Sequence, residues 1–129
     1  TGEIKNVADT PFDMRKPIDL KSKIEELRKF NGEYGFDQNF VINRKENGLT
    51  LAATLTSSSS DLTMQVFTDQ PAIQLYTGQY LAKPFYPGAG LCLETQAFPD
   101  APNQSSFPSA ILLPEEVYRK QTVLSFIWN

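Results

Sequence analysis

At 129 residues, 40% of them hydrophobic and 12% aromatic, the chain has one domain's worth of sequence and enough apolar material to pack a core, which sets aside a disordered tail. Lys and Arg number 12 against 15 Asp and Glu, a formal charge of -3, and no basic cluster could track a phosphate backbone, so nucleic acid is not an expected partner. Histidine is absent, which confines acid and base chemistry to carboxylates, tyrosines, lysines or Cys92.

No His/Cys cluster has zinc-site spacing and no Gly-rich phosphate loop occurs, so neither metal nor nucleotide is expected. No apolar run reaches the roughly 18 residues of a membrane span, and the N-terminus lacks a signal-peptide pattern. With the single Cys92 unable to form an internal disulfide, these features predict a cytoplasmic protein that does not enter membranes. Asn103-Gln104-Ser105 matches a glycosylation sequon, a pattern that matters only in a secreted protein.

The first nine residues are polar and start without Met, as in a processed product or a fragment. Asp19 is placed to cap a short helix on which Leu20, Ile24 and Leu27 recur at helical spacing and Glu25 pairs with Lys29; Asn31-Gly32 ends it. From Phe36 the pattern turns to strands. Segments 39–44 and 49–56 are joined by Glu46-Asn47-Gly48, a hairpin signal, and Ser57 to Ser60 turn the chain into 62–68. Segments 72–81, 90–96 and 122–128 complete a set punctuated by Pro71, Pro84, Pro87 and Gly88. The pattern is that of antiparallel sheet. Between 98 and 114 the chain is rich in Pro, Ser and Asn yet holds Phe98, Phe107 and Ile111-Leu112-Leu113, which predicts an ordered loop pinned by apolar anchors.

Three segments combine polar groups with tight backbone punctuation: Gly35-Phe36-Asp37-Gln38-Asn39-Phe40, Gln74-Leu75-Tyr76-Thr77-Gly78 and Leu93-Glu94-Thr95-Gln96. Strand alternation sends Leu91, Leu93 and Thr95 one way and Cys92, Glu94 and Gln96 the other, so Glu94 reads as a buried carboxylate with polar neighbours, the placement of a general base. Each has a plainer reading: Asp37 as an Asx-turn residue, Gln74 with Tyr76 as a solvent-facing pair, Glu94 as an edge-strand charge, Cys92 as a small core residue. Carboxylates and amides converging on one pocket suit a sugar, whose hydroxyls need donors and acceptors together. A glycosidase would use Asp37 and Glu94 as acid and base; a sugar isomerase would use one base and a separate acid.

At these segments the chain resembles the C-terminal part of the aldose 1-epimerase (galactose mutarotase) family. The resemblance begins at Thr1-Gly2-Glu3-Ile4 and Thr10-Pro11-Phe12-Asp13-Met14-Arg15-Lys16-Pro17 and runs through Gly35-Phe36-Asp37-Gln38-Asn39-Phe40-Val41 and Gln74-Leu75-Tyr76-Thr77-Gly78. It peaks in Gly90-Leu91-Cys92-Leu93-Glu94-Thr95-Gln96 with Phe98-Pro99-Asp100, and closes with Pro102-Asn103-Gln104, Phe107-Pro108-Ser109 and Leu112-Leu113-Pro114. It implies an all-β fold, an antiparallel β-sandwich forming part of a mutarotase-like supersandwich, with residues 1–129 as the C-terminal portion of a single domain. It also implies an isomerase that needs no cofactor and interconverts the α and β anomers of free hexoses such as galactose and glucose. Glu94 stands at the family's general base, and Asp37 and Gln74 at substrate-binding positions. Where the family usually has Asp-His-Asn-Phe, Gln38 replaces the histidine; Ala97 follows Gln96; and the Arg-Pro-Gly-Glu turn is Leu113-Pro114-Glu115-Glu116.

The family's acid histidine comes from an N-terminal half that this sequence does not include. The chain alone is therefore expected to be inactive, with that half as its partner, on the same polypeptide or a separate chain, and with exposed apolar strand faces in its absence. The alternative is a non-catalytic carbohydrate-binding or interaction protein on the same scaffold, which the replacements at Gln38 and Ala97 favour.

Overall fold

The computed structural model describes residues 2–44 and 47–128. Among them lie one helix, α1 (Leu20–Asn31), and six strands, β1 (Asp37–Val41), β2 (Thr50–Thr56), β3 (Leu62–Thr68), β4 (Ala72–Tyr76), β5 (Cys92–Gln96) and β6 (Thr122–Trp128). The strands form two three-stranded sheets, ordered β1-β4-β5 and β2-β3-β6. The chain divides into two compact units, Thr1–Gln38 with Leu75–Cys92, and Asn39–Gln74 with Leu93–Asn129.

In the first unit α1 begins where Asp19 takes extended dihedrals and accepts hydrogen bonds from the Ser22 N–H at 2.9 Å and the Ser22 hydroxyl at 2.7 Å. It ends at Gly32, whose φ of 84° lets its N–H return to the Arg28 carbonyl at 3.0 Å. Of the three helical-spacing apolar residues only Leu27 is buried, so the helix rests on a narrow stripe. The ion pair on this helix is Lys23–Glu26 at 2.7 Å, not the expected Glu25–Lys29. Phe12 packs edge-on against Phe30 and Phe36 with centroids 6.3 and 5.9 Å away. Phe36, fully buried, is tied down twice: its carbonyl accepts the Thr77 N–H at 2.9 Å and its N–H donates to the Thr77 hydroxyl at 2.8 Å.

The second unit is a β-sandwich. Its core is Ile42, Val66 and Ile73, packed with Phe40, Ala52, Ala53, Met64 and Leu93, so both sheets supply side chains to one apolar layer. The sheet β2-β3-β6 is antiparallel, pairing Thr56 with Thr63, and Leu62 with Trp128 through Thr68 with Thr122; a bulge between Leu51 and Ala53 shifts the β2 register. The expected hairpin across Glu46-Asn47-Gly48 does not form: β1 pairs with β4 and β2 with β3, so this connection crosses from one sheet to the other, and Glu46 itself lies outside the described residues. Arg44 ties the turn to the sheet, donating to the Gly48 carbonyl at 2.8 Å, to Thr68 at 3.0 Å and to Gln70. The start of β6 is held by mutual bonds between Asp69 and Gln121 and by the buried Thr68 hydroxyl, which donates to the Gln121 carbonyl at 3.0 Å.

The loop after β5 is anchored as predicted by Phe98 against Phe107, centroids 5.0 Å apart. Ile111, Leu112 and Leu113 do not join it; each remains more than half exposed. Most of β6 is exposed as well, including Leu124 at 52%, Phe126 at 51% and Trp128 at 73%, because β6 lies at a sheet edge. Among the described residues no helix is long and apolar enough to cross a membrane.

Candidate active site

The two faces of β1-β4-β5 differ because strand residues alternate. Phe40 and Ile42, Ile73, and Leu93 turn toward the apolar layer of the second unit. Their alternates Asn39, Gln74, Glu94 and Gln96 therefore stand on the opposite face, and none of these four is fully buried. Polar residues belong there because that face meets water, so the period-two pattern that builds the core also displays the functional groups.

The Ile42 N–H donates to the Pro71 carbonyl at 3.0 Å, which sets the pairing of β1 with β4 in the second unit. Counting back along antiparallel strands puts Asn39 opposite Gln74. Gln96, on the other side of β4, donates through Nε2 to Asn39 Oδ1 at 3.1 Å. A side-chain bridge thus reaches from β5 to β1 over the middle strand.

Glu94 lies two residues before Gln96 on the same side of β5. It is exposed, where a buried carboxylate had been expected, and takes part in no ion pair among the described residues. The reason is visible in the strand: β5 ends the sheet order, and its outward side chains have no further strand to cover them. Cys92 is likewise exposed, not the core residue anticipated, since it shares the outward parity of Glu94. Thr95 has the opposite parity, and its hydroxyl lies 2.6 Å from that of Thr122. Asp37, also exposed, is the first residue of β1 and falls in the first unit.

The segment following β5 is stiffened at Asp100, a left-handed residue with φ of 63°. Its carboxylate accepts Asn103 Nδ2 at 2.6 Å and Gln104 Nε2 at 2.8 Å, and these amides hold it below the usual carboxylate range. Asp100 is the N-cap residue of the short 3-10 turn Ala101–Asn103 but makes no side-chain bond to its backbone; its carboxylate gathers the two side-chain amides instead. Among the described residues no group of three His, Cys, Asp or Glu could hold a metal ion.

The arrangement offers one carboxylate acceptor beside a cluster of amides that both donate and accept, the complement of a polyhydroxylated molecule. By strand parity Gln74 and Glu94 share this face, on the neighbouring strands β4 and β5. The Asn39–Gln96 bond was not foreseen, because motif matching stops at the residues with known roles; strand parity was the signal for it.

Comparison with known proteins places the chain closely. Residues 1–125 match the family described as aldose 1-epimerase. Galactose mutarotase from Sus scrofa is 39% identical over 134 residues, covering 98% of this chain and 38% of the relative. Aldose 1-epimerase from Escherichia coli is 32% identical over 136 residues, covering 96% of this chain and 38% of the relative. The match is to the C-terminal part of these proteins, of whose length the chain spans little more than a third. The crystal structure of a GalM/aldose epimerase homologue from C. elegans superposes with a TM-score of 0.84 at 29% identity, over 99% of this chain and 40% of that one.

Proposed function

Since this chain belongs to the aldose 1-epimerase family, we propose that it is the base-bearing C-terminal portion of a mutarotase domain that interconverts the α and β anomers of free hexoses such as galactose and glucose. The observation that carries this reading is the position of Glu94, an exposed carboxylate on the polar face of β1-β4-β5 that also presents Gln74, Asn39 and Gln96.

In this mechanism Glu94 removes the proton of the anomeric hydroxyl. The electron pair of that O–H bond forms the aldehyde carbonyl as the bond from the anomeric carbon to the ring oxygen breaks, and a separate acid protonates the ring oxygen. Rotation about the first carbon–carbon bond and reversal of the steps give the other anomer, with both protons returned. Gln74 and Asp37 hold sugar hydroxyls.

The acid is not in this chain. There is no histidine, and the family resemblance assigns the acid to a histidine in the N-terminal part. The chain alone is therefore inactive in this reading, and its catalytic partner is that N-terminal part. Single, unpaired Cys92 fits a cytoplasmic location. Gln38, standing where the family usually has histidine, favours one second reading, a sugar-binding protein without catalysis.

The test is polarimetry of freshly dissolved α-D-galactose, with this chain alone and with the chain fused behind the N-terminal part of the Sus scrofa relative. The proposal expects acceleration only from the fusion. A folded fusion that binds galactose yet leaves the rotation rate at the buffer value would support the second reading instead.

A further inference from the structure

We infer that Asn39 and Gln96 form a joint subsite for a pair of neighbouring sugar hydroxyls, beside the carboxylate of Glu94. The inference rests on the aldose reading above and adds two residues to it. A lone amide on an open sheet face rotates freely and binds a hydroxyl poorly, because ordering it costs side-chain entropy. These two are ordered before any ligand arrives. Gln96 Nε2 donates to Asn39 Oδ1 at 3.1 Å, and both residues are half-buried on a face where Glu94 and Cys92 are exposed.

That bond uses one Gln96 N–H and one lone pair of Asn39 Oδ1. It leaves the Gln96 carbonyl oxygen as an acceptor and the Asn39 NH2 as a donor on the two ends of one bridged unit. A hydroxyl that donates to the first and a neighbouring hydroxyl that accepts from the second would engage both at once, the two-point recognition that vicinal diols permit. The bridge spans β4, and Asn39 stands opposite Gln74 on that strand. Gln96 lies two residues from Glu94 on β5. A hexose with its anomeric hydroxyl at Glu94 would thus lay other hydroxyls along the Gln96–Asn39 line. The subsite is specific for a diol and has no feature that would hold a phosphate or an aromatic ligand, since neither a cation nor an aromatic ring is part of it.

The experiment is titration of the 129-residue chain with D-galactose to about 100 mM, above the millimolar range of a shallow site, while the side-chain amide signals of Asn39, Gln74 and Gln96 are followed by NMR. The inference expects saturable shifts at both Asn39 and Gln96. It expects Gln96→Met and Asn39→Ser each to weaken binding roughly three- to tenfold, and the double variant to be little worse than either, because the two act as one unit. Backbone amide dispersion identifies a variant that has failed to fold, and the other single variant then decides. Binding that moves Gln74 while leaving Asn39 and Gln96 still, with unchanged affinity in both variants, would overturn the subsite and leave the aldose reading standing. Shifts at none of the three amides would overturn the subsite, while polarimetry of the fusion decides the aldose reading separately.

Discussion

Gly78 and Gly88 provide a paired test of how the segment leading to β5 is held. Both have left-handed backbones, with φ of 70° and 78°. The Gly78 carbonyl accepts the N–H groups of Gly88 at 2.9 Å and Leu81 at 3.1 Å, so a tight loop closes on it. A Cβ at Gly78 would sit 2.4 Å from the Gly90 carbonyl oxygen, a backbone atom with no rotamer to escape into, whereas a Cβ at Gly88 meets nothing within 4 Å. Alanine at either site incurs about 1–2 kcal/mol for the left-handed conformation, offset by about 0.4–1 kcal/mol from a stiffer unfolded chain. Only at Gly78 is a steric cost of about 1–3 kcal/mol added. Gly88→Ala should therefore lose about 1 kcal/mol and Gly78→Ala about 3 kcal/mol, a difference of about 2. With a urea slope of about 1–3 kcal/mol/M, the two midpoints should differ by about 1 M. Urea melts followed by circular dichroism measure this directly. Equal midpoints would refute the claim that close approach to Gly90, beyond the sign of φ, fixes this loop.

Replacing the helix cap, Asp19→Ala, should cost about 1 kcal/mol in the same urea assay, because the Ser22 N–H loses its partner. Acid should also weaken the fold through three carboxylates whose folded values are depressed: Asp13 by its hydrogen bonds to Arg15, Asp19 by Ser22, and Asp100 by Asn103 and Gln104. Their contribution is fully present above the unfolded Asp value of about 3.9 and is lost as pH falls through the lower folded values, so melting temperature should be flat near neutrality and fall below about pH 4. An acid transition unchanged in the combined variant Asp13→Asn, Asp19→Asn, Asp100→Asn would contradict this assignment. Phe126→Lys and Leu124→Lys place charge on an exposed edge strand and should lower light scattering of concentrated chain without shifting its melt.

Much of this architecture was legible because local physics and tertiary structure agree. The helix ends where Asp19 and Gly32 said it would, since capping depends on residues within one turn. The period-two pattern through Leu91, Leu93 and Thr95 correctly separated Glu94 and Gln96 from the core side. Burial was less legible. Glu94 and Cys92 were read as buried because their strand is apolar, yet exposure depends on what lies beyond the sheet edge, which no local pattern encodes. Ile111 to Leu113 failed as anchors too, each remaining more than half exposed. The Gln96–Asn39 bridge joins residues 57 positions apart, and only the order β1-β4-β5 reveals it. The assignment of Glu94 as base came from the family resemblance, and strand parity shows why that position faces solvent.

The measurement closest to the central claim is the rate of α-D-galactose mutarotation by the fusion of this chain to the N-terminal part of the Sus scrofa relative, compared with its Glu94→Gln variant. Loss of a general base is worth about 10²–10⁴-fold, so the account predicts a fall of at least that order with galactose binding and the folded spectrum retained. A Glu94→Gln fusion that speeds the approach to equilibrium rotation as fast as its parent would show that Glu94 is not the base.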